Sequence, residues 1–437
     1  MAQNMNTSSR FSILICVGAL LLSLAARADD WPQWRGPKRD GVWRETGIVK
    51  TLKGPRMPLL WRAKVYGGYT GPTVAAGSVY LMDHPTDPVE MERVLCFEAK
   101  TGKLLWEHAY DCIYEIQYPL GPRASVSIHD GRAYSLGSMG HLLCLDAVKG
   151  TVLWRKEPGR DYRIRMPIWG IACAPLVEGE LVIVQIGARD GACVMAFDRK
   201  TGEERWRALD DRCSYSAPMP IDHAGKRIVV CWTGDSIAGL DARTGQIYWR
   251  YSSPSKKWAD ATSTPVFSDG RLFFTGFIQG SIMLRLLPGK AAVEPAWKRA
   301  GRNERHTEAL HSLIPTPIVD GDCIYGVDSY GQLRGLNASN GDRLWENLDI
   351  IPNLRWATAH LIRHEDKVWM FNETGELLIT QFSPKGFQVI SRSMLIDPVG
   401  RQAQRRGGVC WSHPAFANKH IYQRNHQQLV CSSLEAK

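Results

Sequence analysis

A turn with a fixed spacing recurs along the chain and limits the folds that the chain can adopt. In each clear copy a glycine precedes a tryptophan by four residues, and an acidic residue or asparagine precedes that glycine by four. The acidic or amide side chain can accept backbone N–H bonds, and the glycine supplies the positive φ of a tight hairpin. Each copy therefore predicts a strand, a turn and a second strand. The five pairs are Gly102 and Trp106, Gly150 and Trp154, Gly202 and Trp206, Gly245 and Trp249, and Gly341 and Trp345.

The repeated position has a period that suits a small four-stranded sheet. Trp61 and Trp297 occupy it in weaker copies, and Ile390 replaces the tryptophan in another. Successive positions lie 43 to 52 residues apart. A proline-bearing strand precedes most copies, and proline belongs on an edge strand because it cannot donate to a ladder. We therefore expect this strand to be the innermost of each sheet; its prolines are Pro72, Pro175, Pro218, Pro265, Pro317 and Pro414.

The two ends of the chain predict how the sheets close into a ring. Residues 59–62 match residues 152–155, but no strands of the same sheet precede them. Residues 412–437 supply three strands and stop before the next turn glycine would come. Joining the ends completes a sheet and leaves no open edge at the seam. The sequence therefore predicts an all-β fold, an eight-bladed β-propeller of four-stranded antiparallel blades, over residues 59–437.

The aromatic side chains at the repeated position are predicted to pack between neighbouring blades. A tryptophan that buries roughly 150–250 Å² at about 25 cal/mol/Å² contributes at most about 4–6 kcal/mol. We therefore assign a structural docking role to Trp61, Trp106, Trp154, Trp206, Trp249, Trp297 and Trp345.

The first 58 residues lie outside the predicted blades. An apolar run from Phe11 to Ala26 follows Arg10 and is typical of a signal peptide, which we place at residues 1–28. The run is shorter than the roughly 20 residues of a spanning helix. Cys16 lies within the run, where it does not form a lipoprotein signal. We expect an exported chain with no membrane span and no lipid anchor after cleavage, and an irregular strap over residues 29–58.

Charge and cysteine spacing exclude several classes of site. The formal net charge is +10, and the predicted signal peptide removes two arginines and no acidic residue, which leaves +8. The basic residues are dispersed, so we expect no nucleic-acid partner. The eleven cysteines include no adjacent pair and no C-x-x-C motif, so the sequence predicts no metal site. We expect most cysteines to be small buried residues.

The repeated turn resembles the A-x-D-x-x-T-G-x-x-x-W motif of β-propellers with pyrroloquinoline quinone (PQQ) repeats, and the resemblance covers residues 59–437. The segment from Trp31 to Val42 is similar to the opening of exported bacterial proteins called PQQ-like or BamB-like. Similarity to BamB implies a periplasmic scaffold for outer-membrane β-barrel assembly, although BamB is a lipoprotein.

Similarity to quinoprotein dehydrogenases instead implies PQQ and calcium on the central axis, with an acidic base. The adjacent cysteine pair that is characteristic of the alcohol dehydrogenases is absent from this sequence. Calcium requires several converging carboxylate or amide oxygens. Asp260, Glu308 and Asn353 lie near the predicted channel, but no local motif joins them.

One large side chain precedes the innermost strand of each predicted blade. Such side chains converge on one mouth of the channel and would form a shared pocket for an anionic or aromatic ligand. Their distances from the following proline differ, so some are alternatively expected between blades. For His311 the alternative is a packing histidine, and for Arg123 it is a residue that bonds loop carbonyls. The eight candidates are Tyr69, Arg123, Trp169, Tyr215, Trp258, His311, Trp356 and Trp411.

The leading functional prediction is a periplasmic or secreted, monomeric, non-catalytic binding or assembly scaffold. Its partner would be an envelope protein or a small anionic or aromatic ligand, and no cofactor is expected. The alternative is an alcohol or sugar oxidoreductase that depends on PQQ and calcium. A carbohydrate or cell-surface binder is a third hypothesis. The serines beside the inner strands form no recognisable nucleophile, base and orienting group, so no hydrolase is predicted.

Overall fold

The computed structural model describes residues 29–255, 261–401 and 407–436. The predicted signal peptide at residues 1–28 and the site candidate Trp258 lie outside the described residues. Eight four-stranded antiparallel sheets form a ring, so the predicted eight-bladed propeller is confirmed. In blades 1 to 7 the chain passes through four consecutive strands. Around the channel, the first strand of blade 1 contacts those of blades 2 and 8, and the first strands of blades 2 and 3 and of blades 5 and 6 also meet.

Strand β1 (Trp61–Lys64) precedes the seven consecutive blades. Blade 1 comprises β2 (Thr73–Ala75), β3 (Ser78–Asp83), β4 (Met91–Glu98) and β5 (Leu104–Asp111). Blade 2 comprises β6 (Ser127–His129), β7 (Arg132–Leu136), β8 (Leu142–Asp146) and β9 (Val152–Lys156). A short helix, α1 (Pro158–Asp161), leads to blade 3, which comprises β10 (Leu176–Glu178), β11 (Leu181–Gln185), β12 (Val194–Asp198) and β13 (Glu204–Ala208). Blade 4 comprises β14 (Met219–His223), β15 (Lys226–Trp232), β16 (Ser236–Asp241) and β17 (Ile247–Ser252).

Blade 5 comprises β18 (Val266–Ser268), β19 (Arg271–Gly276), β20 (Gly280–Leu286) and β21 (Val293–Arg299). Blade 6 comprises β22 (Ile318–Asp320), β23 (Cys323–Val327), β24 (Leu333–Asn337) and β25 (Arg343–Asn347). Blade 7 comprises β26 (Ala359–His364), β27 (Lys367–Asn372), β28 (Glu376–Ser383) and β29 (Gly386–Met394). A separate two-stranded sheet pairs β30 (Val399–Arg401) with β31 (Gly408–Val409). Blade 8 takes β32 (Ala415–Ala417), β33 (His420–Arg424) and β34 (Gln428–Ser433) from the end of the chain.

The eighth blade is shared between the two ends of the chain. Strand β1 pairs antiparallel with β34, with Trp61 opposite Cys431 and Lys64 opposite Gln428. Strands β34, β33 and β32 continue the sheet toward the channel. The prediction that the N-terminal strand completes the C-terminal sheet is therefore confirmed.

The turn glycine of one blade lies against the tryptophan of the preceding blade. A Cβ atom on Gly202 would stand 2.8 Å from the Trp154 ring, and φ at Gly202 is +74°. Trp154 is 8% exposed, and its Nε1–H donates to the Arg199 carbonyl at 3.1 Å. The glycine and the tryptophan of neighbouring repeats therefore meet at one blade interface. The glycine permits the turn, and its missing side chain leaves room for the indole ring. The same contact joins Trp61 to Gly102, Trp106 to Gly150, Trp206 to Gly245 and Trp297 to Gly341.

The strap at residues 29–58 crosses the channel. It makes backbone hydrogen bonds to the inner strands of blades 1, 2 and 7 and to the residue that follows β34 in blade 8. Its buried Arg39 donates to the Ala174 and Pro175 carbonyls of blade 3 at 3.1 and 3.0 Å. Trp34 Nε1–H donates to Thr264 Oγ1, directly before blade 5, at 2.7 Å. Because these blades lie on different sides of the ring, the strap spans the axis.

The described cysteines are buried, as the sequence predicts for most of them. The ten cysteines between Cys96 and Cys431 are free thiols and are buried. In the part of the chain that the structure describes, no helix has the length and apolar content needed to cross a membrane.

Candidate functional site

Aromatic rings surround a cavity on the propeller axis. Its volume is about 980 Å³, including its open mouth. The ring centroids of Trp169 and Tyr215 lie 5.0 Å apart, and those of Trp169 and Trp356 lie 6.0 Å apart. Tyr118 meets Trp356 edge to face at 5.7 Å. These rings pack on one another, so their positions are defined before a ligand binds. The aromatic lining consists of Trp34, Tyr69, Tyr118, Trp169, Tyr215, Trp356 and Trp411.

Six of the eight predicted site residues lie around this one cavity, namely Tyr69, Arg123, Trp169, Tyr215, Trp356 and Trp411. Their role in ligand binding remains a prediction. The placement of His311 in the cavity is wrong. His311 is 1% exposed, its Nδ1 lies 3.0 Å from the Phe277 carbonyl, and the Gly301 N–H donates to its Nε2 at 3.2 Å. It is therefore a packing histidine that holds two loops together.

The cavity wall follows the alternation of the inner segments. Large residues near the mouth are followed two positions later by smaller ones, as in Tyr215 and Ala217 or Arg123 and Ser125. Residues two apart in an extended segment share a face, so the second set forms a layer farther along the channel. The small side chains in that layer leave the space that Trp34 of the strap occupies. The wall also contains four residues that the sequence did not predict there: Trp34, Tyr118, His360 and His413.

Two aromatic residues of the wall have left-handed backbone conformations. φ is +56° at Tyr118 and +66° at Trp356. Such conformations cost about 1–3 kcal/mol each in residues other than glycine and persist where the surroundings hold them. The Trp356 N–H donates to the Ser329 carbonyl at 2.6 Å, and the Tyr118 carbonyl accepts from Arg123 at 2.6 Å. The strain is therefore used to turn two rings toward the cavity.

Arg123 provides the positive charge of the cavity and also positions its wall. Its guanidinium donates to the Gly121, Gln117 and Tyr118 carbonyls, and it lies 5.0 Å from the Tyr69 ring centroid. Burial lowers the Arg123 pKa, but the group remains a cation at neutral pH. Among the described residues no carboxylate pairs directly with this guanidinium. Glu92 stabilises this charge from behind Ser138, outside the cavity lining. The guanidinium can still attract an anionic group in the cavity, and its hydrogen bonds hold the loop that carries Tyr118.

Ser125 and His413 form a buried hydrogen-bonded pair in the wall. His413 Nδ1 lies 3.1 Å from the Pro414 carbonyl, so Nδ1 carries the proton and Nε2 accepts from Ser125 Oγ at 2.7 Å. The same arrangement orients a nucleophile and its base in hydrolases. Burial, with a smaller effect of neighbouring His360, lowers the His413 pKa to about 3. A base with that pKa is poorly matched to proton transfer at neutral pH.

The two cavity histidines predict a pH-dependent stability. Burial lowers the pKa of His360 to about 4 and that of His413 to about 3, from 6.5. The unfolded chain therefore binds protons that the folded chain excludes once the pH falls below 6.5. We expect each histidine to cost roughly 1.4 kcal/mol of unfolding free energy per pH unit, down to its folded pKa. Urea unfolding between pH 7.5 and 4.5 measures this loss.

Neutral replacements test the assignment of this pH dependence. The double variant His360→Asn with His413→Gln should show a shallower loss of stability on acidification than the wild-type chain. His129→Gln is the control because His129 has a 44% exposed side chain on blade 2. An identical pH profile in the double variant and the wild type would contradict the assignment.

The sequence matches one family model over most of its length. The model is described as outer membrane protein assembly factor BamB, and it matches residues 90–306 and 291–436. The chain belongs to this family of β-propellers. No curated protein sequence matches the chain.

Solved structures with the same fold include a BamB protein and several dehydrogenases. BamB from Moraxella catarrhalis is 17% identical, with a TM-score of 0.57 over 86% of this chain and 97% of that one. The quinohemoprotein alcohol dehydrogenase from Comamonas testosteroni is 14% identical, with a TM-score of 0.65 over 95% of this chain and 82% of that one. A europium-containing methanol dehydrogenase is 13% identical, with a TM-score of 0.64 over 93% and 98%. At these identities the similarity shows a shared fold and nothing more.

The cavity does not fit a metal-assisted quinone site. Its described lining contains no aspartate, glutamate or asparagine, whereas calcium needs several such oxygens. Of the three residues considered from the sequence, Glu308 faces Arg299 with 58% side-chain exposure and Asn353 is exposed. Asp260 lies outside the described residues. The aromatic wall and its single arginine instead suit a flat, largely apolar ligand.

Proposed function

We propose that this chain is a non-catalytic binding propeller of the cell envelope, with a ligand site in its axial cavity. The observation that carries the proposal is the aromatic wall, whose described lining contains one arginine, Arg123, and no carboxylate. Membership of the BamB family supports a scaffold role. We also propose that the chain is exported and carries no lipid anchor.

The wall favours a planar ligand that bears a negative charge. Stacked and edge-on rings give large contact area to a flat molecule, and Arg123 attracts an anionic substituent. His360 and His413 are neutral, so they add no second charge. His360 Nε2 already lies 2.9 Å from the Trp411 carbonyl. A planar aromatic monoanion therefore matches the site better than a polyanion.

A fluorescent aromatic sulfonate, 1-anilinonaphthalene-8-sulfonate, is a suitable probe. We expect one saturable site and quenching of tryptophan fluorescence, because several tryptophans line the cavity. Trp169→Ala and Arg123→Met should each weaken binding by about tenfold or more, from lost stacking and lost charge respectively. Val152→Ala, on an outer strand, should leave binding unchanged. Equal binding by all variants would overturn the cavity assignment.

Titration with PQQ and Ca²⁺ in a dye-linked oxidation assay discriminates the scaffold from the dehydrogenase. Saturable PQQ binding with turnover of an alcohol or sugar would overturn the non-catalytic proposal. Absence of turnover together with recovery of a defined protein partner from envelope extract would support it. In the recovery experiment a Trp411→Ala chain is the comparison with the wild-type chain, because the substitution alters the cavity and leaves the outer surfaces of the propeller unchanged.

A further inference from the structure

A second polar site lies between blades 1 and 2, outside the axial cavity. Glu92 is in β4, Cys112 directly follows β5, and His141 directly precedes β8. Their potential ligand atoms all lie within 4.8 Å of one another. The Cys112 Sγ atom lies 3.9 Å from His141 Nδ1. Three different chain segments thus bring a thiol, an imidazole and a carboxylate to one point.

Glu92 is a buried carboxylate that forms no direct ion pair with a described cation. It is 0% exposed. Tyr110 donates to its Oε2 at 2.5 Å, the Ser138 N–H donates to its Oε1 at 2.9 Å, and the Tyr114 hydroxyl also donates to Oε1. These are neutral donors that orient the carboxylate but do not neutralise it. Arg123 interacts with Glu92 electrostatically from behind Ser138 but forms no direct ion pair with it. A buried carboxylate without a direct counter-charge is costly, so the site favours a cation.

We propose that Glu92, Cys112 and His141 bind a zinc ion that joins blade 1 to blade 2. Thiolate, imidazole and carboxylate are the ligand types that zinc takes in proteins, and a thiolate disfavours calcium and magnesium. Zinc–sulfur and zinc–nitrogen bonds of about 2.3 and 2.0–2.1 Å place two tetrahedral ligands roughly 3.5 Å apart. The observed Cys112 to His141 spacing therefore needs only a small contraction.

The charges and protons of the site balance on binding. Cys112 loses its thiol proton to solvent and ligates as a thiolate, while Glu92 contributes a second negative charge and His141 is neutral. One Zn²⁺ ion then makes the buried site electrically neutral. Tyr110 and Ser138 keep Glu92 in place, as partners behind ligating carboxylates do in metal sites. A water molecule completes the coordination.

The metal has a route to the site through the groove between the two blades. His141 is partly exposed, and it lines this groove with His108, Asp111 and Glu157. Cys112 and Glu92 lie behind it and are buried. His141 is therefore the ligand that meets an entering ion. None of the three proposed ligands lines the axial cavity, although Ser138 hydrogen-bonds both Glu92 and Arg123, so zinc binding is measured separately from ligand binding.

Cobalt titration of the metal-stripped full chain tests the proposal. We expect a sulfur-to-cobalt charge-transfer band that saturates at one equivalent and disappears on addition of Zn²⁺. Cys112→Ser should abolish the band, and His141→Gln should weaken metal affinity by at least about 100-fold, more than the loss of a hydrogen-bond partner behind a ligand costs. Cys144→Ser is the control, because Cys144 is a buried thiol of β8 without a neighbouring carboxylate ligand.

The His141→Gln variant keeps the test decisive if Cys112→Ser does not fold, because His141 is partly exposed and its replacement disturbs packing less. Zinc content measured per chain after purification gives a readout that is independent of cobalt spectroscopy. Absence of a charge-transfer band in the wild-type chain would overturn the proposal. A band of equal intensity and affinity in the His141→Gln chain would also overturn it.

Discussion

Deletion of residues 413–437 is expected to abolish the cooperative unfolding transition of the whole chain. The deletion removes β32, β33 and β34 and leaves β1 without a sheet. It also removes Phe416, Ile421 and Leu429, which lie in one buried cluster with Trp31 and Trp43 of the strap. Blades 1 and 7 would both lose a packed neighbour, and their exposed apolar faces favour aggregation. Thermal unfolding followed by circular dichroism measures the effect.

Two further variants test whether the loss of cooperative unfolding is caused by failure to close the ring. Removal of Ala436 and Lys437 alone should preserve the transition, because β34 ends at Ser433. A circular permutant that attaches residues 29–64 behind residue 437 through a flexible linker should also fold, because it supplies all four strands of blade 8. If the 413–437 deletion unfolded like the intact chain, the seam would be unimportant for stability.

Trp154→Ala is expected to reduce the free energy of unfolding by about 3–5 kcal/mol. The substitution empties the space between blades 2 and 3, and it leaves the Arg199 carbonyl without the indole donor. Ile390→Ala removes a smaller, partly buried side chain from the corresponding interface of blade 7. We expect a loss of about 1–2 kcal/mol for that variant.

Denaturant unfolding of matched variants measures this difference. Val152→Ala is the control, because Val152 lies on the same strand as Trp154 and is 39% exposed. Its replacement should change stability by less than about 0.5 kcal/mol. Equal losses for Trp154→Ala and Ile390→Ala would contradict the proposed ranking of the interfaces.

The blades were predictable because their signal is local and repeated. Gly202 and Trp206 lie in one hairpin, and the need for a positive φ and for burial of a large ring is visible within a few residues. The seam was also predictable, because Trp61 begins a strand that has no partner strand in its own part of the chain. The path of the strap was not predictable, because the position of Trp34 depends on small residues that come from distant blades.

Spacing alone did not separate true cavity residues from packing residues. Trp169 and His311 both stand six residues before the proline of an inner strand, yet only Trp169 reaches the cavity. Gly170 has φ of +73° and makes a turn directly after Trp169, whereas His311 bonds to two loop backbones. Tyr118 was missed because a left-handed backbone conformation in a long loop leaves no periodic trace in the sequence.

The strap has a consequence for traffic through the propeller. A ring of blades alone encloses a channel that is open at both ends. Here the strap crosses from blade 1 to blade 5 and contributes Trp34 to the cavity wall, so the channel is closed at one end. A ligand would then enter and leave by the same face. The opposite face, covered by the strap, is left for contacts that do not compete with the ligand.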